Sequence, residues 1–84
     1  MKPIRLSKHA KEQLFFRNAT EEEIVETIKT SYWEFAELDR LECKKNFPYE
    51  NDWNGRYYET KQVRPIFVDE DEEIVVITIY TYFF

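Results

Sequence analysis

Ile74-Val75-Val76-Ile77-Thr78-Ile79-Tyr80-Thr81-Tyr82-Phe83-Phe84 is the stretch on which the fold turns. β-branched and aromatic side chains occupy both parities of this run, as in a strand covered on two faces, so residues 74–84 are expected to form the central strand of a sheet. The run is about half of the roughly 20 residues that a membrane helix needs, and it holds two threonines, so a membrane protein is not expected. Just upstream, Asp69-Glu70-Asp71-Glu72 reads as a solvated hairpin connection. It lacks the glycine and the longer liganding spacing of a calcium loop, and no metal is assigned to it.

Moving further back, Arg56 to Val68 reads as one or two strands, interrupted or edged at Pro65, because proline cannot donate to a ladder. Pro48 to Gly55 holds the only glycine with proline, asparagine and aspartate, and reads as a long loop anchored by Trp53. Leu41, Cys43, Lys45 and Phe47 alternate with Arg40, Glu42, Lys44 and Asn46, the two-residue period of a strand with one drier face. Tyr32 to Leu38 has no clean period and reads as an irregular connection or short strand.

The N-terminal third is helical. Ser7 is a good N-cap for a helix from about Lys8 to Arg17, with Ala10, Leu14 and Arg17 on one side. The helix should stop near Asn18. Thr20-Glu21-Glu22-Glu23 has the form of a capping box, so a second helix should run to Lys29 or Thr30 with Ile24, Val25 and Ile28 turned inward. The expected architecture is α+β: two N-terminal helices packed on a mainly antiparallel sheet.

With 84 residues there is room for one core, and a single domain over 1–84 is expected. Aromatic residues make up 18% of the chain, which suits a thin core built from few large side chains. The lone Cys43 permits no internal disulfide, and no apolar stretch of signal-peptide length follows Met1, so a cytoplasmic protein is expected. Net charge is −5, which argues against non-specific binding to nucleic acid. The charges are uneven, however: acids gather at Glu21–Glu23 and Asp69–Glu73, and cations at Arg40, Lys44, Lys45, Arg56, Lys61 and Arg64.

His9, the only histidine, falls in the first turn of helix one, where the positive helix end favours a neutral ring able to accept a proton. It serves equally as a capping or packing residue. Arg40 and Lys44 share a strand face, and cross-strand pairing can set Lys61 or Arg64 beside them as a phosphate clamp, or else pair these cations with Glu42 and Glu59. Thr78, Tyr80 and Tyr82 share one face of the last strand, where a tyrosine can stack on a base or fill the core. One His and one Cys do not make a zinc site, and one glycine does not make a phosphate loop; no cofactor is expected. Cys43 is expected to pack inward.

Leu6-Ser7-Lys8-His9-Ala10-Lys11-Glu12-Gln13-Leu14, Arg17 and Thr20-Glu21-Glu22-Glu23 resemble the opening of the domain-of-unknown-function family 4258. Arg40-Leu41-Glu42-Cys43-Lys44, Lys61 to Val68 and Ile74 to Tyr80 continue the resemblance over nearly the whole chain. It implies a fold similar to the RelE/ParE-like toxins and the wider group of metal-independent ribonucleases, with a helical N-terminus on a sheet of about four strands. It also implies an active face of His, Lys, Arg, Thr or Tyr side chains, for which His9, Arg17, Arg40, Lys61 and Tyr80 are the matching positions. Asn18 stands where the family usually has glycine, and asparagine tolerates the left-handed turn.

The expected function is therefore a metal-independent endoribonuclease, the toxin of a toxin–antitoxin pair, with RNA and a cognate antitoxin as partners. His9, Lys61, Arg40 and Tyr80 are the expected catalytic residues, and Arg17, Arg64 and Lys44 the substrate-binding ones. The rival from another class is a non-catalytic interaction module that uses exposed aromatics such as Tyr32, Trp33, Phe35 and Tyr82 to Phe84.

Overall fold

Local chemistry sets both helices of the computed structural model, which describes all 84 residues. After a short strand β1 (Ile4–Leu6), the Ser7 side chain accepts from the Ala10 amide and starts α1 (Lys8–Arg17). Asn18 ends that helix in the left-handed region at φ 53°. Thr20 and Glu23 form the reciprocal capping box of α2 (Glu21–Thr30). These boundaries agree with the sequence expectation, because caps depend on residues only three apart.

The strands that follow are β2 (Glu34–Phe35), β3 (Leu41–Glu42), β4 (Lys45–Trp53), β5 (Arg56–Asp69) and β6 (Ile74–Phe83). Together with β1 they form a six-stranded sheet in the order β1-β6-β5-β3-β2, with β4 also paired to β5. Every pairing is antiparallel except that of β1 with β6. The class is α+β as expected, with six strands in place of about four. The additional strands β1 and β2 span three and two residues, too short to show a period.

Other expectations are corrected. Residues 48–55 are not a long loop: β4 runs to Trp53, and the chain reverses at Asn54 and Gly55, with φ 52° and 81°. Positive φ at both central residues is the signature of the tightest hairpin turn, and Asn-Gly is its preferred sequence. Pro48 is tolerated because β4 pairs on one side only and its register shifts between Pro48 and Asn51. Pro65 does not interrupt β5. It lies opposite the break between β3 and β4, where no ladder position requires its missing donor.

The central strand is β5, not β6, since β5 pairs with β6, β3 and β4. The two-sided apolar pattern of β6 has a different cause: a bulge. Ile66 pairs with Thr78 and Phe67 with Val76, which leaves Ile77 as an extra residue and exchanges the two faces along the strand. Ile74 and Val76 therefore point to the same side as Ile79, Thr81 and Phe83. That side holds the core, where Leu6, Ala10, Ile24, Ile28, Val63, Phe67, Val76 and Ile79 are almost fully buried. Phe67 alone stabilises by about 1.5–3 kcal/mol through burial, and Trp33 packs on its edge at 5.1 Å.

Cys43 packs inward as expected, its thiol donating to the Thr27 carbonyl at 3.6 Å, and burial pushes its pKa up to about 12. At the sheet end, the fork of Arg5 bonds both oxygens of Glu73 at 3.0 Å and holds that carboxyl below its ordinary range. No helix is long and apolar enough to cross a membrane.

Candidate functional site

Both helices contribute to one core on one side of the sheet, so the other side has no helical layer. Cross-strand register puts Asn46, Gln62, Arg64 and Ile66 on this open side, together with Thr78, Tyr80 and Tyr82 of β6. The bulge at Ile77 decides it. Without that extra residue, Thr78 and the two tyrosines would turn into the core.

Ser7 ties the bulge to α1. Its amide donates to Val76 O at 2.9 Å and its hydroxyl to Ile77 O at 3.1 Å, while the same hydroxyl caps the helix. At the far end of α1, Thr81 Oγ1 donates to the Arg17 carbonyl at 2.6 Å. A ten-residue helix is about 15 Å long, close to the roughly 13 Å from Ile77 to Thr81 along a strand, so the helix lies along β6. This docking carries His9 and Arg17 to the open side. His9 Nε2 lies 3.1 Å from Thr78 Oγ1, and the Arg17 guanidinium sits 5.2 Å from the centre of the Tyr80 ring.

The β2–β3 connection forms the facing wall. Ala36 N bonds Arg40 O at 2.8 Å across Leu38 and Asp39, which have φ 60° and 58°. A left-handed leucine is strained by roughly 1–3 kcal/mol. The hairpin borders a hollow of about 490 Å³ lined by Phe35, Leu38, Arg40, Glu42, Thr78 and Tyr80 among others. Beside it, Lys44 and Arg64 share a cleft of about 40 Å³ with Glu34 and Glu42.

Of the residues singled out from sequence, Arg40 and Tyr80 line one hollow, His9 and Arg17 reach the same face through Thr78 and Tyr80, and Arg64 and Lys44 lie in the adjoining cleft. None of the three guanidinium groups forms an ion pair; the four salt bridges are Lys2–Asp69, Arg5–Glu73, Lys45–Glu26 and Lys61–Glu23. The Nε atoms of Arg17 and Arg64 are buried without a hydrogen-bond partner.

Lys61 lies elsewhere. Only 6% exposed on the core side, it contacts Glu23 Oε2 at 2.9 Å and Asn18 O at 2.8 Å. The signal was present in the sequence: Lys61 is in phase with Val63 and Phe67, whereas Arg64 is in phase with Gln62. Two contributions went unassigned. Thr78 as the partner of His9 depends on the bulge, which has no sequence signature here; the Arg64–Tyr82 contact, at 5.0 Å, crosses strands diagonally.

No three His, Cys, Asp or Glu side chains converge to hold a metal. No family model, curated protein or solved structure matches the chain.

Proposed function

We propose that this chain is a metal-independent endoribonuclease that cleaves RNA through the 2′-hydroxyl, acts as the toxin of a toxin–antitoxin pair, and belongs among the RelE/ParE-like proteins that its sequence resembles. The observation that carries the reading is an uncovered sheet face that bears an imidazole bonded to Thr78 and, further along, Arg17 against Tyr80 and the guanidinium groups of Arg40 and Arg64, none of the three in an ion pair.

Cleavage of this kind needs a base for the 2′-hydroxyl, positive charge for the phosphorane and a proton for the departing oxygen. The Nε2 contact with Thr78 leaves Nδ1 to the substrate, and in the tautomer protonated at Nε2 it is Nδ1 that carries the lone pair and takes the 2′ proton. The 2′-oxygen then bonds to phosphorus while the bond from phosphorus to the 5′-oxygen breaks. Arg17 and Arg40 face the developing charge, and the Tyr80 hydroxyl gives the 5′-oxygen its proton. The products are a 2′,3′-cyclic phosphate and a 5′-hydroxyl.

The test is cleavage of a labelled RNA in chelator, with end-group analysis. His9→Ala should lower kcat roughly 10²- to 10⁴-fold without loss of thermal stability. Thr78→Val should lower kcat and leave KM in place. An unchanged rate in His9→Ala, or products with other ends, rejects the reading.

One observation favours the second reading, a protein-interaction module. Phe15 and Phe16 are 83% and 67% exposed, and they border an apolar hollow of about 610 Å³ with Leu14, Ala19 and Trp53. A chain that leaves RNA intact, but binds a partner protein in a way that Phe15→Ser with Phe16→Ser abolishes, is the module instead.

A further inference from the structure

On the open sheet face, away from His9, four side chains form a continuous row: Asn46, Gln62, Arg64 and Tyr82. Gln62 Nε2 donates to Asn46 Oδ1 at 3.0 Å, and Gln62 Oε1 accepts from Arg64 Nη2 at 3.1 Å. The guanidinium so held lies 5.0 Å from the centre of the Tyr82 ring. Two features separate this row from an ordinary surface cluster. Arg64 is oriented by a neutral amide and forms no ion pair, although Glu34 and Glu42 line the same cleft. Its charge is therefore fixed in direction and not neutralised. In addition, 47% of Tyr82 remains exposed although the ring already has a cation against it. The row joins a directed positive charge to a flat aromatic surface.

We propose that Arg64 and Tyr82 form a nucleotide subsite, in which Tyr82 stacks on the base next to the scissile phosphate and Arg64 holds that nucleotide's phosphate, so that the substrate is an unpaired strand. The identity of the ligand rests on the ribonuclease reading above. Its unpaired state follows from spacing. Tyr82 is two residues beyond Tyr80 on the same strand face, about 6.6–6.8 Å along the chain. Bases in a regular duplex strand repeat at about 3.4 Å and cover one another's faces. A nucleotide that reaches Tyr82 while its neighbour lies at Tyr80 has to leave that stack, which a single strand does at low cost and a duplex does not. Aromatic side chains on an open sheet face are a recurrent way of receiving splayed bases.

The experiment measures binding apart from cleavage. A short fluorescein-labelled RNA with 2′-O-methyl groups, which cannot be cut through the 2′-oxygen, is titrated with the intact protein and read by fluorescence anisotropy, both single-stranded and annealed to its complement. The single strand should bind more tightly. Tyr82→Ala should loosen it roughly 5- to 150-fold, while Tyr82→Phe, which keeps the ring, should retain wild-type affinity. Binding of the single strand without cleavage of the unmodified RNA would reject the catalytic reading and support the subsite. Equal binding of strand and duplex by the wild-type protein, which needs no variant, or unchanged affinity in Tyr82→Ala, would overturn the subsite.

Discussion

Lys61 and Glu23 meet 2.9 Å apart where α2 begins, and the same Lys61 ammonium donates to the carbonyl of Asn18 at the end of α1. Glu23 uses its other oxygen to accept the Thr20 amide in the capping box. One buried ammonium thus joins both helix ends to β5, and the ring of Tyr49 lies 5.5 Å from it. Removing one member of a buried pair leaves the other without compensation, typically at a cost of several kcal/mol. Lys61→Ala should therefore lower the free energy of unfolding by about 2–4 kcal/mol, read from urea titration with an unchanged slope. On the proposed ribonuclease reading, RNA cleavage per folded molecule should be preserved. A stable variant without activity would return Lys61 to the site.

Gly55 occupies the second position of the β4–β5 turn at φ 81°, and a Cβ added there would meet nothing within 4 Å. The effect of Gly55→Ala is then backbone strain alone, roughly 1–2 kcal/mol. Urea unfolding should register that loss, while the His9–Thr78 contact, beside Ile66 and far along β5 from the turn, is left in place. No change in stability would mean that the turn relaxes to a different type.

The helices could be read from sequence because each is set by a contact within four residues, Ser7 with Ala10 and Thr20 with Glu23. The β4–β5 turn was also readable, through Asn54-Gly55, but the Pro48 and Asn51 that precede it resemble loop residues. Pro65 was legible as a missing donor and not as a position where none is needed, since that depends on where two other strands end. The site was half legible. Positions 78, 80 and 82 carry a period-two signal, whereas the bulge at Ile77 that decides which face all three take is bonded to Ser7, 70 residues away in sequence. Long-range pairing of that kind has no local pattern.

The Cys43 thiol gives a pH-dependent prediction. Its folded pKa of about 12 lies above the ordinary 9.0, chiefly through burial and secondarily through the charge of Glu42. A group raised on folding contributes stability that is complete below the unfolded value and is lost as pH rises through the folded one. Stability should therefore fall between about pH 9 and 12, and Cys43→Ser should flatten that limb of the curve. In keeping with this, thiol reagents near pH 8 should label the folded protein slowly and the urea-unfolded protein at once. Fast labelling of the folded state would refute the assignment.

On the proposed ribonuclease reading, Arg17, Arg40 and Arg64 are the groups through which a chain of net charge −5 would hold RNA. Overall charge governs long-range steering, whereas contact charge governs counterion release, and the two are separable. If all three guanidinium groups touch phosphates of a single strand, log K should fall against log salt with a slope near −2, from about 0.7 per contact. Each Arg→Gln substitution should reduce the slope by about 0.7 and weaken binding at low salt most. The low-salt association rate should remain modest, because the acids of α2 and of the β5–β6 turn repel the strand at a distance. A slope that does not change in any of the three variants would mean that the guanidinium groups never reach the backbone, and the phosphate-binding role would pass to Lys44 or be lost.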